Sequence, residues 1–209
     1  MGGLKLKFHP LFILFGVYYA LTGRVLMFVI YTFSALLHEM GHSFVAGNCG
    51  YALNKITLFP FGAVVSGDLD GLKCRDEIKI ALAGPLMSLA IGLSFVSLWW
   101  MFPEIYAYTD TAVQANIAIA LINFLPIMPL DGGRVLCATL SIWLKREKAL
   151  KICKALGGTL SLALFSLFVL SCFYTINLSL LFFSLFVLFG TFGKSSKNNY
   201  IRVYPAYLH

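Results

Sequence analysis

Two histidines four residues apart, with a glutamate beside the first, form the run His38-Glu39-Met40-Gly41-His42. On an α-helix, residues i and i+4 lie one turn apart on one face. Both imidazoles can then reach a single metal ion, while the glutamate takes a proton from a water held there. The same five-letter pattern recurs by chance in soluble helices. Here it lies in an apolar stretch, where three ionisable groups within one turn are costly unless something uses them. A catalytic zinc ion takes three protein ligands and leaves a position open, so another carboxylate or histidine must come from elsewhere. Asp131, in Leu130-Asp131-Gly132-Gly133, is the acidic residue in the interior of a later apolar stretch. Pro126 and Pro129 break a helix ahead of it, and the two glycines behind it permit close backbone approach. The competing reading of Asp131 is a helix cap at the cytoplasmic surface.

Such residues need elements that hold them inside a bilayer. The sequence predicts an all-α polytopic membrane protein of about six transmembrane helices, at 9–22, 25–47, 77–102, 111–144, 157–175 and 176–192. The stretch 111–144 is too long for one straight helix and should break near Pro126 and Pro129. Gly84-Pro85 should kink the third span, 103–110 reads as a short turn, and 145–156 as a basic amphipathic helix on the membrane surface. The last two spans are nearly featureless. Residues 1–192 form one expected domain, followed by a polar tail, 193–209. Between the second and third spans, near residues 51–71, a membrane-associated segment of β or irregular structure is expected, because β-branched and aromatic residues alternate there with glycines. An exposed strand edge within 56–66, around Phe59, Phe61, Gly62 and Val64, can pair with an unwound peptide by β-addition; a loop that plugs the helices is the alternative. Asp68 and Asp70 read as solvated turn residues.

Composition supports the membrane reading. Over 209 residues the chain is 59% hydrophobic and only 12% charged, about half the charge of a soluble domain. The N-terminal lysines before an apolar run resemble a signal peptide, but no small-residue cleavage pattern follows, so the segment is expected to be retained. Cysteines at 49, 74, 137, 153 and 172 have neither a disulfide framework's spacing nor a C-x-x-C pair, and read as free thiols. The net charge of +7 is assigned to cytoplasmic loops and anionic lipid, with no nucleic-acid partner. Basic residues at 5 and 7, at 55, 73 and 75, at 145, 146, 148, 151 and 154, and at 194, 197 and 202 share one side of the six-span arrangement. Arg24, Glu104 and Asp110 lie opposite. Both termini are therefore expected in the cytoplasm.

Residues 34–46 and 123–136 resemble the signature of the site-2 protease family of intramembrane zinc metalloproteases. The likeness rests on Leu37 to His42 and on Asn123, Pro126, Pro129 and Asp131 to Gly133. Weaker likeness at Ala83-Gly84-Pro85 and Leu58-Phe59-Pro60-Phe61-Gly62 extends it over about residues 8–192. The resemblance implies one zinc ion held by His38, His42 and Asp131, with Glu39 activating water. It also implies that Asn123 touches the substrate or the oxyanion; an interhelical hydrogen bond is the competing role. A membrane-associated protein substrate is implied, and an inhibitory membrane partner is allowed. The turn at 103–110 cannot contain the PDZ domains of the envelope-stress members. The compact layout, His9-Pro10 and the Phe-Pro-Phe-Gly run are most similar to the bacterial sporulation branch that processes pro-sigma-K, which implies a multi-pass protein of a bacterial cell membrane. There are two departures: Ser88 stands where family members often carry asparagine, and a short tail to His209 stands where the sporulation enzymes tend to carry a nucleotide-sensing CBS domain, which is either absent from this protein or removed from this sequence.

Two other classes compete. A membrane metal-ion transporter also places His, Glu and Asp inside the bilayer, but predicts ionisable residues strung across it; here they cluster, and the last two spans carry none. A scaffold with a vestigial site would have little reason to keep Glu39.

Overall fold

The computed structural model describes residues 5–8, 10–59, 62–68, 72–174 and 178–192. The chain divides into two compact units, Met1–Leu69 with Lys79–Asn123, and Asp70–Ile78 with Phe124–His209. The first carries α1 (Pro10–Leu21), α2 (Val25–Asn48), most of α3 (Cys74–Met101) and α4 (Tyr106–Phe124). It also holds a three-stranded sheet of β1 (Lys5–Phe8), β2 (Ala52–Phe59) and β3 (Gly62–Asp68). The second carries the first turn of α3, then α5 (Asp131–Trp143), α6 (Arg146–Ser171) and α7 (Leu178–Phe192).

Among the described residues, three helices are long and apolar enough to cross a membrane: Val25–Asn48, Cys74–Met101 and Arg146–Ser171. At 1.5 Å per residue the shortest of them reaches about 36 Å, enough for a hydrocarbon core of about 30 Å. The apolar parts of α1 and α7, Phe12–Leu21 and Leu180–Phe192, are shorter. So the structure shows three such helices where the sequence predicts about six. The arrangement of polarity suits lipid. The face of α2 turned inward bears Ser34, His38, Gly41, His42 and Ala46, while Leu26, Phe33, Met40 and Phe44 are exposed. In water that pattern would leave a large apolar surface wet and bury its polar groups; in hydrocarbon it is the stable one. Exposed aromatics sit at helix ends, Trp100 closing α3, Tyr108 opening α4 and Trp143 closing α5, as suits a membrane interface.

Within the sheet, β2 is central. It runs parallel to β1, with Lys5 opposite Lys55 and Phe8 opposite Leu58, and antiparallel to β3, with Thr57 opposite Val64 and Phe59 opposite Gly62. Both β2 and β3 pack on α2. The short β1 has no counterpart in the sequence reading, which treats its lysines as a flank of the first span. Phe61 lies outside the described residues, as do the junction at 175–177 and the tail.

Two span boundaries move. There is no turn through 103–110: a single 3-10 turn, Pro103–Ile105, leads directly into α4. The basic segment from 145 onward is not a separate surface helix either; α6 runs unbroken from Arg146 to Ser171 through Gly157-Gly158. Those glycines are a packing face, not a break, because a Cβ at Gly157 would meet Thr191 and one at Gly158 would meet Phe192, both on α7. Ser161 adds a hydrogen bond to the Ser184 carbonyl at 2.9 Å. The predicted break ahead of Asp131 is present. Leu130 is extended (φ −72°, ψ 163°), and α5 begins immediately after it. One backbone carbonyl freed by the break, that of Met128, accepts from Thr191 Oγ1 at 2.8 Å.

Candidate metal centre

The site begins with the pitch of α2, which stacks His38 and His42 on its inner face; they are 4% and 5% exposed. Their rings meet edge to face with centroids 4.9 Å apart, and their Nε2 atoms are 3.2 Å apart. Each Nδ1 is held by α3, with His42 Nδ1 2.7 Å from the Ile80 carbonyl and His38 Nδ1 3.1 Å from Ser88 Oγ. A carbonyl only accepts, so His42 Nδ1 carries the proton and its Nε2 presents a lone pair. A tetrahedral zinc ion bonded to two imidazoles at about 2.0–2.1 Å needs those nitrogens roughly 3.3 Å apart. The observed spacing matches without rearrangement.

Gly84 explains how α3 comes so close. A Cβ there would lie 2.8 Å from His38 Nε2 and closer still to the His42 ring. Any side chain at 84 would occupy the space in front of both ligand nitrogens. Gly41, on the facing helix, would bring a Cβ to 2.7 Å from the Ala83 carbonyl, so the two helices cross where both lack side chains. One turn before His38, Ser34 Oγ accepts from Asn116 Nδ2 at 3.0 Å, which ties α2 to α4.

Asp131 opens α5 and is 8% exposed. Its carboxylate oxygen lies 3.6 Å from Arg134 Nη1, three residues on. The glycines behind it act by close approach, because a Cβ on Gly132 would run into the Phe124 and Leu125 carbonyls and one on Gly133 into the Ile127–Met128 peptide. His38, His42 and Asp131 are each buried, and each offers one ligand atom of a kind that zinc takes. Two imidazoles and a carboxylate, all buried, fit a single zinc ion.

The remaining sequence candidates are placed less decisively. Glu39 is half-buried on α2. Asn123 is half-buried on the last turn of α4, where its Nδ2 donates to the Ile119 carbonyl at 3.0 Å; that local bond is not the interhelical one expected as the competing role. Phe59 ends β2, while Gly62 and Val64 belong to β3. The sequence reading missed Ile80 and Ser88 as partners of the histidines. A signal for them existed: Ile80, Gly84 and Ser88 recur every four residues and so share one face of α3.

A buried His pair on an apolar helix, with its Nε2 atoms 3.2 Å apart, suits a zinc ion held inside a membrane helix bundle. Residues 26–113 and 101–170 match peptidase family M50. The chain belongs to that family, the site-2 protease family. It is similar to a zinc metalloprotease of Methanocaldococcus jannaschii, 34% identical over 205 residues, which are 92% of this chain and 58% of that protein. It is also similar to stage IV sporulation protein FB of Bacillus subtilis, 28% identical over 207 residues, which are 96% of this chain and 69% of that protein. Among solved structures it resembles the site-2 protease from Methanocaldococcus jannaschii with a TM-score of 0.71 at 33% identity, covering 91% of this chain and 90% of that one. The chain thus spans little more than half the length of the first of these relatives.

Proposed function

We propose that this chain is a zinc-dependent intramembrane endopeptidase that hydrolyses peptide bonds of membrane-associated proteins in or near the bilayer. The observation that carries the reading is the His38–His42 pair, buried on one face of α2 with Nε2 atoms at the 3.2 Å spacing that two zinc-bound imidazoles need. His38, His42 and Asp131 hold the metal. Zinc, when bound, supplies Lewis acidity, polarising the scissile carbonyl and making water acidic enough to act as a nucleophile near neutral pH. Glu39 would serve as the base, accepting a proton from the attacking water and returning it to the departing amine. Asn123 holds the substrate or the oxyanion through its amide.

A helical substrate hides its peptide bonds and must unwind before it can be cut. Of the two edges of the sheet, that of β3 lies beside α2, the helix carrying the histidines. We assign Phe59, Phe61, Gly62 and Val64 to a strand surface that receives the unwound segment by β-addition. The 1–192 region works as one protease domain of about six spans, with both termini and the tail in the cytoplasm of a bacterial cell. Similarity to stage IV sporulation protein FB supports a transcription-factor precursor such as pro-sigma-K as substrate, under an inhibitory membrane partner. Purified chain incubated with tagged single-span and pro-sigma substrates should cleave one of them. A chelator should stop cleavage and added zinc restore it; activity indifferent to chelation would refute the reading.

A further inference from the structure

The two ligand histidines are oriented by one helix but by different chemistry. His42 Nδ1 lies 2.7 Å from the Ile80 main-chain carbonyl, and His38 Nδ1 lies 3.1 Å from the Ser88 hydroxyl. Ile80 and Ser88 are eight residues apart, about 12 Å along α3, whereas the histidines are four apart, about 6 Å along α2. The two lengths meet because helix carbonyls point toward the C-terminus and side chains lean toward the N-terminus. The Ile80 oxygen reaches down the helix and the Ser88 oxygen reaches up, with Gly84 between them leaving room for both rings.

The partners differ in what they permit. A main-chain carbonyl has a fixed place and only accepts, so it imposes one tautomer and one ring orientation on His42. No substitution at residue 80 removes it. A hydroxyl both accepts and donates and rotates about its own bond, so its hold on His38 depends entirely on residue 88. Ser88 is 0% exposed, so its hydroxyl meets His38 Nδ1 away from solvent.

We infer that Ser88 is a positioning residue for the zinc site: its hydroxyl accepts from His38 Nδ1, directs Nε2 at the metal, and sets the affinity of the His38 arm. In this role Ser88 acts through His38, the partner its hydroxyl is seen to hold. The inference rests on the metalloprotease reading above, and metal binding tests it separately from cleavage.

The experiment uses the full chain in detergent, with zinc affinity from chelator competition and the visible absorption of bound Co2+ as a report on ligand geometry. Ser88→Ala should weaken zinc binding about 10–100-fold, the usual effect of losing the hydrogen-bond partner of a metal-bound imidazole, and should alter the cobalt bands. Ser88→Thr and Ser88→Val impose nearly the same added bulk but differ in the hydroxyl. Ser88→Thr should therefore stay within a few-fold of wild type, with Ser88→Val falling alongside Ser88→Ala. Equal losses for the Thr and Val variants would overturn the inference, because bulk alone would then account for them. Wild-type affinity and spectrum in a folded Ser88→Ala would also overturn it, while leaving the protease reading intact. A wild-type chain that bound no zinc would overturn both.

Discussion

Glu39 shares one helical turn with His38 and His42, yet it is asked for different chemistry, and substitution separates base from ligands. Glu39→Gln keeps the shape and removes the base, so cleavage should fall by at least ~10²–10⁴-fold while zinc per purified chain stays at the wild-type level. His42→Ala removes a ligand, so metal and activity should fall together. Asn123→Ala should keep its zinc and lose turnover, by up to ~10²–10³-fold if the amide serves an oxyanion. Cleavage at the wild-type rate by zinc-loaded Glu39→Gln would end the proposed mechanism. The candidate ligands could be picked out from the sequence by two local rules: i and i+4 share a helical face, and an acid in a broken apolar helix needs a use. Their supports could not. The four-residue spacing of Ile80, Gly84 and Ser88 puts them on one face of α3, but that face gains a meaning only once α3 is known to cross α2 at Gly41 and Gly84.

At the scale of elements, Glu77 and Arg146 join helices that the sequence presents as unrelated. Glu77, in the first turn of α3, is 2% exposed, and its carboxylate meets both terminal nitrogens of Arg146 at 3.1–3.2 Å; Arg146 also reaches Ser141 on α5. Removing one member of such a pair strands a buried charge. Glu77→Ala should therefore destabilise the fold by ~3–5 kcal/mol, seen as early thermal unfolding in detergent, and an unchanged melting temperature would show that the pair is dispensable. The sheet makes a different demand. Val64→Pro removes a backbone donor from β3 where Val64→Ala does not, so the proline variant should cleave more slowly. Equal rates from the two variants, both folded, would count against edge pairing. The break before α5 was legible because prolines act locally. The continuity of α6 was not: whether a Gly-Gly step ends a helix or packs against a neighbour depends on Thr191 and Phe192, more than thirty residues away in sequence.

For the whole molecule, orientation follows from where charge and aromatic side chains meet the bilayer edge. The start of α6 carries exposed Lys145, Lys148, Lys151 and Lys154, joined in one helix to an apolar stretch that contains no charged residue from Ala155 to Ser171. Holding that many lysines on the outer face opposes the charge bias that orients membrane helices, and the proposed orientation therefore puts this end on the cytoplasmic side. The other end of α6 finishes in exposed Phe173 and Tyr174, and the α3–α4 connection in exposed Trp100 and Tyr108 with Glu104 and no basic residue. Those features suit the opposite interface. A cysteine placed at Tyr108 should therefore react with a membrane-impermeant thiol reagent in intact cells. One placed at Lys148 should react only after the membrane is opened, with the native thiols, Cys172 among them, replaced by serine to remove background. Labelling of the Lys148 position in sealed cells would invert the arrangement and place the basic end of α6 outside. The cytoplasmic location of both termini would then fall with it, because that assignment rests on the same charge bias.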